Sequence, residues 1–313
     1  MRIAVIGAGG VGGYFGGKLA GAGLDVVFSA RGGHLSAIKK NGLTVKSILG
    51  DFHVDNPAIK EEIREIGHAD LILLSTKAWQ IETIMDSLRE IAGDSGIILP
   101  LQNGVTIAEE LSRTINKKNI LGGLCRIISQ VESPGVICHS GVTPEIVFGE
   151  LDNSDSGRLH EIKVIFNNAG IRSRISYNIE SDLWKKFISI CVGGLLAVTR
   201  TTYGELRGIP ETRQMMIDLM QEIYSLSKQA GICIEPEFIA RTVSFLDEYP
   251  YDSTASLTRD VLEGRPSEIF YQNGAVVKLG EKYGVDTPVN RFIFNCILPM
   301  EIKARSGSLK RDN

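Results

Sequence analysis

The sequence has little of what a nucleic-acid-binding, membrane or secreted protein requires. Its 34 lysines and arginines are outweighed by 37 aspartates and glutamates, for a net charge of −3, whereas a polyanion-binding surface needs an excess of positive charge. The longest nearly apolar stretch, residues 187–198, is shorter than the ~18–20 residues that span a bilayer. The opening apolar run, residues 2–6, is too short for the core of a signal peptide. We therefore predict a cytoplasmic protein with no nucleic-acid or membrane partner.

Cysteine and histidine are also scarce. The five cysteines are widely spaced and odd in number, which fits neither a disulfide framework nor a Cys-x-x-Cys pair. The five histidines show no His-Glu-x-x-His or similar ligand spacing. The sequence therefore predicts neither a disulfide nor a metal site.

The order of apolar runs predicts two domains. In the first half, short apolar runs alternate with helical patterns, which is typical of an α/β domain with a doubly wound parallel sheet. After about residue 178 the patterns are helical only, and Pro210 and Gly284 are among the residues that separate them. We expect an α/β domain over residues 1–177, an all-α domain over residues 178–313, and a binding site in the cleft between them.

The predicted elements of the two domains follow from these patterns. Strands are expected at residues 2–6, 25–30, 70–76, 96–101, 120–124, 135–139, 145–148 and 171–175. In the second domain, helices are expected at residues 181–199, 211–229, 235–246, 253–262, 267–283 and 289–304.

Glycine, by contrast, is abundant and unevenly placed. Eleven of the 34 glycines fall within the first 33 residues. Within this cluster a Gly-x-Gly-x-x-Gly loop follows an apolar strand pattern and opens a helical one, and its residues are Gly7, Ala8, Gly9, Gly10, Val11 and Gly12.

Such a loop is typical of dinucleotide binding. Gly7 permits a tight turn, Gly9 lets the backbone approach a pyrophosphate, and Gly12 lets the helix pack closely on the strand. The N–H groups at the helix N-terminus then face the phosphates. The alternative is a glycine-rich turn without a ligand.

The end of the second predicted strand favours NADP over NAD. NAD-binding proteins usually place an acidic residue there for the ribose 2′-hydroxyl, whereas this strand runs into Arg31, and Asp25 lies at its opposite end. An arginine can hold a 2′-phosphate through charge-assisted hydrogen bonds. The alternative for Arg31 is a solvated surface arginine.

Three further segments carry polar residues in positions that suit a site. Residues 74–80 and 101–105 each follow an apolar strand pattern, and residues 183–186 open the helical region. The carboxyl ends of parallel strands border the ligand crevice of an open α/β sheet. Lys77, Asn103 and Lys186 are therefore candidate site residues.

Together with later motifs, these segments resemble the ketopantoate reductase (2-dehydropantoate 2-reductase) family of NADPH-dependent enzymes of pantothenate biosynthesis. The matching motifs are, in chain order, the glycine loop, Lys-Ala-Trp-Gln from Lys77, Gln-Asn-Gly around Asn103, Leu-Trp-Lys-Lys at 183–186, Gly-Glu-Leu-Arg at 204–207, Ser256-x-x-x-Asp260, and Glu268-x-x-x-x-Asn273-Gly274. The resemblance spans nearly the whole chain. It implies a Rossmann-type domain followed by an all-helical domain, and a possible homodimer.

The resemblance also implies roles for single residues. Lys186 corresponds to the lysine that donates a proton to the substrate carbonyl oxygen, and Glu268 to the acid that lies near the reacting hydroxyl and the nicotinamide ribose. Asn103 corresponds to the asparagine between nicotinamide and substrate. Ser256 corresponds to a serine that contacts the substrate carboxylate. For Lys186 alone, the alternative is a helix lysine whose ammonium group only reaches solvent, as we expect for Lys185.

For the cofactor, the resemblance implies two basic contacts. Lys77 corresponds to a lysine beside the cofactor, and Arg31 to the arginine at the 2′-phosphate. The second assignment agrees with the argument from the second strand.

One helix departs from the family pattern. Many family members place Lys, Asn and Asn at positions that correspond here to Lys186, Ile190 and Gly194, on one face of the predicted helix 181–199. We expect an apolar wall at Ile190 and, at Gly194, either room for a bulkier substrate or close packing against a neighbouring helix.

Because Ile190 and Gly194 depart from the family pattern, three functions remain compatible with the sequence. The first is reduction of ketopantoate to pantoate. The second is a 2-hydroxyacid dehydrogenase of the same superfamily that acts on another branched or aromatic 2-oxo acid. The third is a non-catalytic NADPH-binding regulatory protein.

Overall fold

The computed structural model describes residues 1–308, with side chains through residue 307. The chain forms two compact units. The first comprises Met1–Gln102 and Ile107–Ile179, and the second comprises Asn103–Thr106 and the described chain from Glu180 onward. The short segment that follows Gln102 thus belongs with the helical part of the chain.

The first unit contains the strands of the described chain and the first five α-helices. The strands are β1 (Arg2–Ile6), β2 (Asp25–Ser29), β3 (Leu43–Ser47), β4 (Phe52–Val54), β5 (Ala58–Lys60), β6 (Leu71–Leu74), β7 (Ile97–Pro100), β8 (Gly122–Ser133), β9 (Val136–Gly149) and β10 (Arg172–Ile175). The helices are α1 (Gly10–Gly21), α2 (Gly32–Asn41), α3 (Ile81–Ala92), α4 (Ile107–Leu111) and α5 (Gly157–Asn168).

A parallel sheet with strand order β5-β2-β1-β6-β7 forms the centre of this unit. Its order, with β1 in the middle and later strands added on both sides, is that of a Rossmann-type sheet. The apolar runs of β1 and β6 are buried, as expected for strands that are covered on both faces. The predicted α/β class of the N-terminal part is confirmed.

A second sheet lies in the same unit, with strand order β10-β9-β3-β4 and β8 paired to β9. The sequence predictions differ from the structure here. The strand expected at 120–124 continues to Ser133 as the long β8, and the strands expected at 135–139 and 145–148 are one strand, β9. The short strands β3 and β4 of this sheet were missed, as was β5 of the parallel sheet. The two long strands form an antiparallel hairpin from the pair Gly122–Gly149 to the pair Ser133–Val136. The middle part of this hairpin is polar and is stabilised by pairing between the two strands. Its sequence has no apolar pattern from which a strand could be predicted.

The second unit is helical. After α6 (Ile179–Ile190), its helices are α7 (Val192–Thr199), α8 (Tyr203–Gly208), α9 (Pro210–Gln229), α10 (Phe238–Asp247), α11 (Ser256–Leu262), α12 (Asn273–Tyr283) and α13 (Pro288–Ser308). Pro210 opens α9, and Gly284 ends α12 in the left-handed conformation, as the sequence predicts. Among the described residues, no helix is both long enough and apolar enough to cross a bilayer.

Two predicted helices of this unit are interrupted. The helix expected at 267–283 begins only at Asn273, after a short 3-10 turn at Ile269–Tyr271. The helix expected at 181–199 is divided into α6 and α7 at Cys191, whose carbonyl accepts a hydrogen bond from Asn273 Nδ2 at 3.1 Å. A side chain that bonds to a helix carbonyl competes with the i→i−4 ladder and marks a break.

Candidate active site

The strand register of the first unit brings several predicted residues to one edge of its parallel sheet. Ile6 at the end of β1 pairs with Ser29 on β2 and with Leu74 on β6, and Leu74 pairs with Pro100 on β7. The segments that follow these residues therefore leave the sheet at the same carboxyl edge. They contain the glycine loop, Arg31, Lys77 and Gln102.

The glycine loop has the backbone geometry of a tight strand-to-helix turn. Gly7 has a φ of +95°, which side-chain-bearing residues rarely adopt. Its N–H donates to Ser29 Oγ at 3.1 Å, and Ser75 Oγ donates to the Gly7 carbonyl at 3.0 Å. A Cβ on Gly12 would overlap both the Gly7 carbonyl oxygen and Ser75 Oγ, so α1 approaches β1 this closely only because residue 12 has no side chain.

The same edge has the features that a bound dinucleotide requires. Gly9 caps the N-terminus of α1, and a Cβ there would have no neighbour within 4 Å, so this backbone is open to a ligand. Thr76 Oγ1 and both amide atoms of Gln102 are buried, and no described residue forms a hydrogen bond to them. Buried polar groups without partners are rare and indicate a missing ligand or water. These residues fit the phosphates and ribose of a dinucleotide.

Thr76 and Gln102 were not singled out from the sequence. Each is the second residue after the end of a strand of the parallel sheet. This position at the carboxyl edge is the signal in the sequence that could have identified them. Only the structure shows that their polar atoms are buried and unpartnered.

Arg31 lies beyond the end of β2, as predicted, and caps the N-terminus of α2. Its side chain is exposed, and no described residue forms an ion pair or hydrogen bond with its guanidinium. Lys77 follows β6 and precedes the 3-10 turn Ala78–Gln80, and its backbone N–H donates to Gln80 Oε1 at 3.2 Å. Both basic residues thus occur at the carboxyl edge of the sheet.

His34 is a further residue that sequence reasoning missed. Its Nε2 lies 2.8 Å from the carbonyl oxygen of Ala8 in the glycine loop, and its Nδ1 accepts from the N–H of Gly135 at 3.0 Å. The second bond requires an unprotonated Nδ1, so the imidazole is neutral with its proton on Nε2. This side chain connects the glycine loop to the turn between β8 and β9.

In the second unit, the structure brings together Asn103 and Glu268. Asn103 Nδ2 donates to Glu268 Oε2 at 2.9 Å, and Glu268 is only 5% exposed. The residue before Glu268 is anchored to α13, because the backbone N–H and the hydroxyl of Ser267 both donate to Glu301 Oε2, at 2.9 and 2.6 Å. The Glu268 carboxylate therefore accepts from Asn103, and the residue before it is anchored separately to α13.

Lys186 lies on α6 and is partly buried. The only polar side chain in the following turn, that of Ser189, donates to the Lys186 carbonyl at 2.8 Å. Ser256 is the first residue of α11 and is exposed. The start of α11 is attached to α7, since Thr258 Oγ1 donates to the Gly193 carbonyl at 2.8 Å.

The space beside Gly194 is filled. A Cβ on Gly194 would overlap Asn273 Oδ1 and would lie 2.8 Å from Ile293 Cγ2. Asn273 is completely buried, and its Nδ2 donates to the Cys191 carbonyl and, at 2.9 Å, to Asn290 Oδ1. Of the two expectations for Gly194, room for a bulkier substrate is therefore wrong, and close packing against a neighbouring helix is confirmed.

Neither a reactive thiol at Cys191 nor a metal cluster is found among the described residues. Cys191 is completely buried, and burial raises the pKa of its thiol well above the usual range, so this thiol stays protonated. Among residues 1–308, no cluster of three or more His, Cys, Asp or Glu side chains has the geometry to hold a metal ion.

Similar proteins agree with the resemblance seen in the sequence. The chain is 29% identical to a 2-dehydropantoate 2-reductase of Archaeoglobus fulgidus, over 96% of this chain and 98% of the relative. It is 27% identical to the uncharacterized oxidoreductase YkpB of Bacillus subtilis, over 94% and 97% of the two chains. The crystal structure of 2-dehydropantoate 2-reductase from Geobacter metallireducens superposes with a TM-score of 0.90, at 28% identity, over 96% of this chain and 99% of the other.

The family profiles cover both parts of the chain. The profile described as ketopantoate reductase PanE/ApbA matches residues 3–153, and its C-terminal counterpart matches residues 178–301. The predicted fold class, an α/β domain followed by a helical one, is that of the solved relative. The chain is an oxidoreductase, and it belongs to the ketopantoate reductase PanE/ApbA family.

Proposed function

We propose that this protein reduces a 2-oxo acid to the 2-hydroxy acid with NADPH as cofactor. Ketopantoate, which would give pantoate for pantothenate biosynthesis, is the first substrate to test, because several relatives carry the name 2-dehydropantoate 2-reductase. In the overall reaction, the 2-oxo acid, NADPH and a proton give the 2-hydroxy acid and NADP⁺. We further propose that the enzyme is cytoplasmic and acts as a homodimer.

The observation that carries this proposal is the hydrogen bond from Asn103 to Glu268, which joins two of the motif segments in one unit. Bound NADPH supplies the hydride. The chain has to bind the substrate, orient it and deliver a proton to the oxygen that gains charge. A neutral 2-oxo group accepts hydride at carbon only if this oxygen is stabilised at the same time.

Lys186 is the proton donor in this mechanism. Its ammonium group faces the substrate carbonyl oxygen, stabilises the negative charge that develops there and then donates the proton. Glu268 accepts a hydrogen bond from the hydroxyl of the product, and Asn103 holds the Glu268 carboxylate in place. Ser256, whose hydroxyl is exposed at the start of α11, donates to the substrate carboxylate.

The cofactor-binding residues belong to the first unit. The backbone of residues 7–12 binds the pyrophosphate at the N-terminus of α1. Thr76, Lys77 and Gln102 contact the nucleotide from the ends of neighbouring strands. The exposed guanidinium of Arg31 binds the 2′-phosphate, which selects NADPH over NADH.

The test is a steady-state assay that follows the oxidation of NADPH with ketopantoate, 2-oxoisovalerate and bulkier 2-oxo acids. Lys186→Ala should lower kcat by at least about 100-fold, the usual contribution of a general acid, and should leave the Kd for NADPH nearly unchanged. Lys185→Ala is the matched control, since its ammonium group pairs instead with Glu235 at 2.8 Å.

Three results would contradict parts of the proposal. Absence of turnover on every acid, with NADPH bound, would favour the non-catalytic regulatory protein. Loss of both turnover and NADPH binding in Lys186→Ala would indicate a structural role for this lysine. An equal loss of kcat in the Lys185→Ala control would show that the effect is not specific to residue 186.

A further inference from the structure

The start of α11 rests on α7 inside the second unit. Leu257 and Thr258, the second and third residues of α11, are 2% and 0% exposed. Thr258 Oγ1 donates to the carbonyl of Gly193 on α7 at 2.8 Å, and this hydrogen bond is buried. Ser256, the first residue of α11, is exposed. The position of the Ser256 hydroxyl is therefore set by how closely α11 can approach α7.

The two helices approach closely because residue 193 is a glycine. A Cβ on Gly193 would lie 2.8 Å from the Cβ of Ala255, the residue before α11. The next atoms, Leu257 Cβ at 3.7 Å and Thr258 Oγ1 at 3.8 Å, would be in ordinary van der Waals contact. Since the Cβ of an alanine moves only with its backbone, no change of rotamer relieves the overlap with Ala255. A side chain at position 193 therefore has to displace backbone.

This displacement falls on the start of α11. Residues 192–197 of α7 are all buried, and a close-packed interior yields less than a surface does, whereas Ala255 is only partly buried and Ser256 is exposed. The segment before Ala255 is held by α8. The N–H groups of the first two residues of α8 donate to the carbonyls of Ser253 at 3.0 Å and of Tyr251 at 2.9 Å, respectively. One residue separates Ser253 from Ala255, so the anchored segment absorbs little of the shift, which passes to Ser256.

We infer that Gly193 is the positioning residue for Ser256 and, through the Ser256 hydroxyl, for the carboxylate of the 2-oxo acid. This inference rests on the proposed function, in which that hydroxyl donates to the substrate carboxylate. Ordinary contact begins at 3.4 Å, so a methyl group at position 193 requires a shift of about 0.6 Å. Hydrogen bonds between a hydroxyl and an oxygen acceptor span only about 2.5–3.0 Å. A shift of that size therefore weakens the bond to the substrate without removing any group from the site.

Gly193→Ala tests this through a change in KM that is separate from kcat. The bond to the substrate carboxylate is made both before and during hydride transfer, so its weakening raises KM and leaves kcat nearly unchanged. For the 2-oxo acid that the wild type reduces fastest, we expect KM to rise about 10-fold and the Kd for NADPH to stay that of the wild type. Gly208→Ala is the matched control, since a Cβ there would have no neighbour within 4 Å, and its KM should be unchanged.

A second substitution identifies the contact that is responsible. The double variant Gly193→Ala/Ala255→Gly lacks the methyl group that the new Cβ meets, and the next atoms lie at 3.7 Å and 3.8 Å. Its KM should equal that of Ala255→Gly alone within about twofold. A KM that stays raised in the double variant would overturn the inference, and so would a wild-type KM in folded Gly193→Ala. Parallel losses of kcat and of NADPH affinity in Gly193→Ala would indicate a general structural effect and would also overturn it.

The hydrogen bond of Thr258 provides a test that does not depend on the folding of Gly193→Ala. Thr258→Val removes the bond to the Gly193 carbonyl, so KM should rise severalfold with kcat retained. Thr258→Ser keeps the hydroxyl, and its KM should be near that of the wild type. A wild-type KM in Thr258→Val would contradict the inference while the proposed reaction stands. Absence of turnover by the wild-type protein on every 2-oxo acid would refute the proposed reaction, and the inference with it.

Discussion

Asn103 donates a hydrogen bond of 2.9 Å to the carboxylate of Glu268, although 165 residues separate them in the chain. A buried carboxylate needs donors to remain in place, and the Asn103 amide provides one of them. Asn103 therefore helps to hold the Glu268 carboxylate in place in the second unit. The anchoring of Ser267 to Glu301 restrains the same segment from the side of α13.

Removal of the charge of Glu268 should affect catalysis more than folding. In Glu268→Gln the side-chain carbonyl still accepts from Asn103, but a charge-assisted bond to the product hydroxyl becomes a neutral one. Such a loss is worth about 1–2 kcal/mol, or about 10-fold in kcat/KM. Steady-state kinetics and thermal melting measure the two effects, and Glu237→Gln, at an exposed position, is the control. A wild-type kcat/KM in Glu268→Gln would contradict the assigned role.

Because the backbone at Gly9 is open, a substitution there should change the affinity for the cofactor without changing the stability of the protein. A Cβ at Gly9 meets no atom within 4 Å, so Gly9→Ala should melt at the wild-type temperature. The added methyl group would occupy the space of the pyrophosphate, and the Kd for NADPH should rise at least about tenfold. Titration of nucleotide fluorescence measures this Kd. Gly21→Ala, which also has no neighbour within 4 Å, should leave the Kd unchanged and melt at or slightly above the wild-type temperature. Tight NADPH binding by Gly9→Ala would argue against a phosphate site at this loop.

The choice between NADPH and NADH should depend on Arg31. Arg31→Asp removes the cation that is proposed for the 2′-phosphate and supplies an acceptor for a ribose 2′-hydroxyl. The ratio of kcat/KM with NADPH to that with NADH should fall by about 10–100-fold, the value of one or two charge-assisted hydrogen bonds. Lys40→Asp makes the same change of charge at the exposed other end of α2. An equal fall in both variants would indicate a general effect of charge, and no fall in either would exclude Arg31 as the selective residue.

The packing of Asn273 on Gly194 predicts a loss of stability, rather than a new substrate range, when residue 194 gains a side chain. In Gly194→Ala the new Cβ overlaps Asn273 Oδ1, and overpacking of this kind costs about 1–3 kcal/mol. Thermal melting should show a decrease of several degrees. At Gly208, in α8, a Cβ would have no neighbour within 4 Å, so Gly208→Ala should melt at or slightly above the wild-type temperature. Equal melting of the two variants would be inconsistent with the described contact.

Local sequence patterns correctly predicted those strands, turns and helix ends whose conformation is determined by residues close together in the chain. The apolar run of β1, the glycine loop and the opening of α9 by Pro210 were all readable from neighbouring residues. The hairpin of β8 and β9 was not, because its polar residues are stabilised by pairing across the hairpin and not by their own pattern. The break at Cys191 was missed for a related reason, since the carbonyl there accepts a hydrogen bond from Asn273, 82 residues later.

For the candidate site, too, some features could be predicted from the sequence and others depend on the tertiary structure. The sequence by itself determined the order and spacing of the motifs, and with them the family and the residues that the proposed reaction uses. Such motifs are recognisable in the sequence because a short loop such as residues 7–12 has its geometry set by its own glycines. Only the tertiary structure decided that Asn103 holds Glu268, that His34 joins the glycine loop to a distant turn, and that Gly194 is a packing position. Each of these depends on contacts between residues far apart in the chain, and the packing of the whole unit, rather than any local pattern, determines which residues meet.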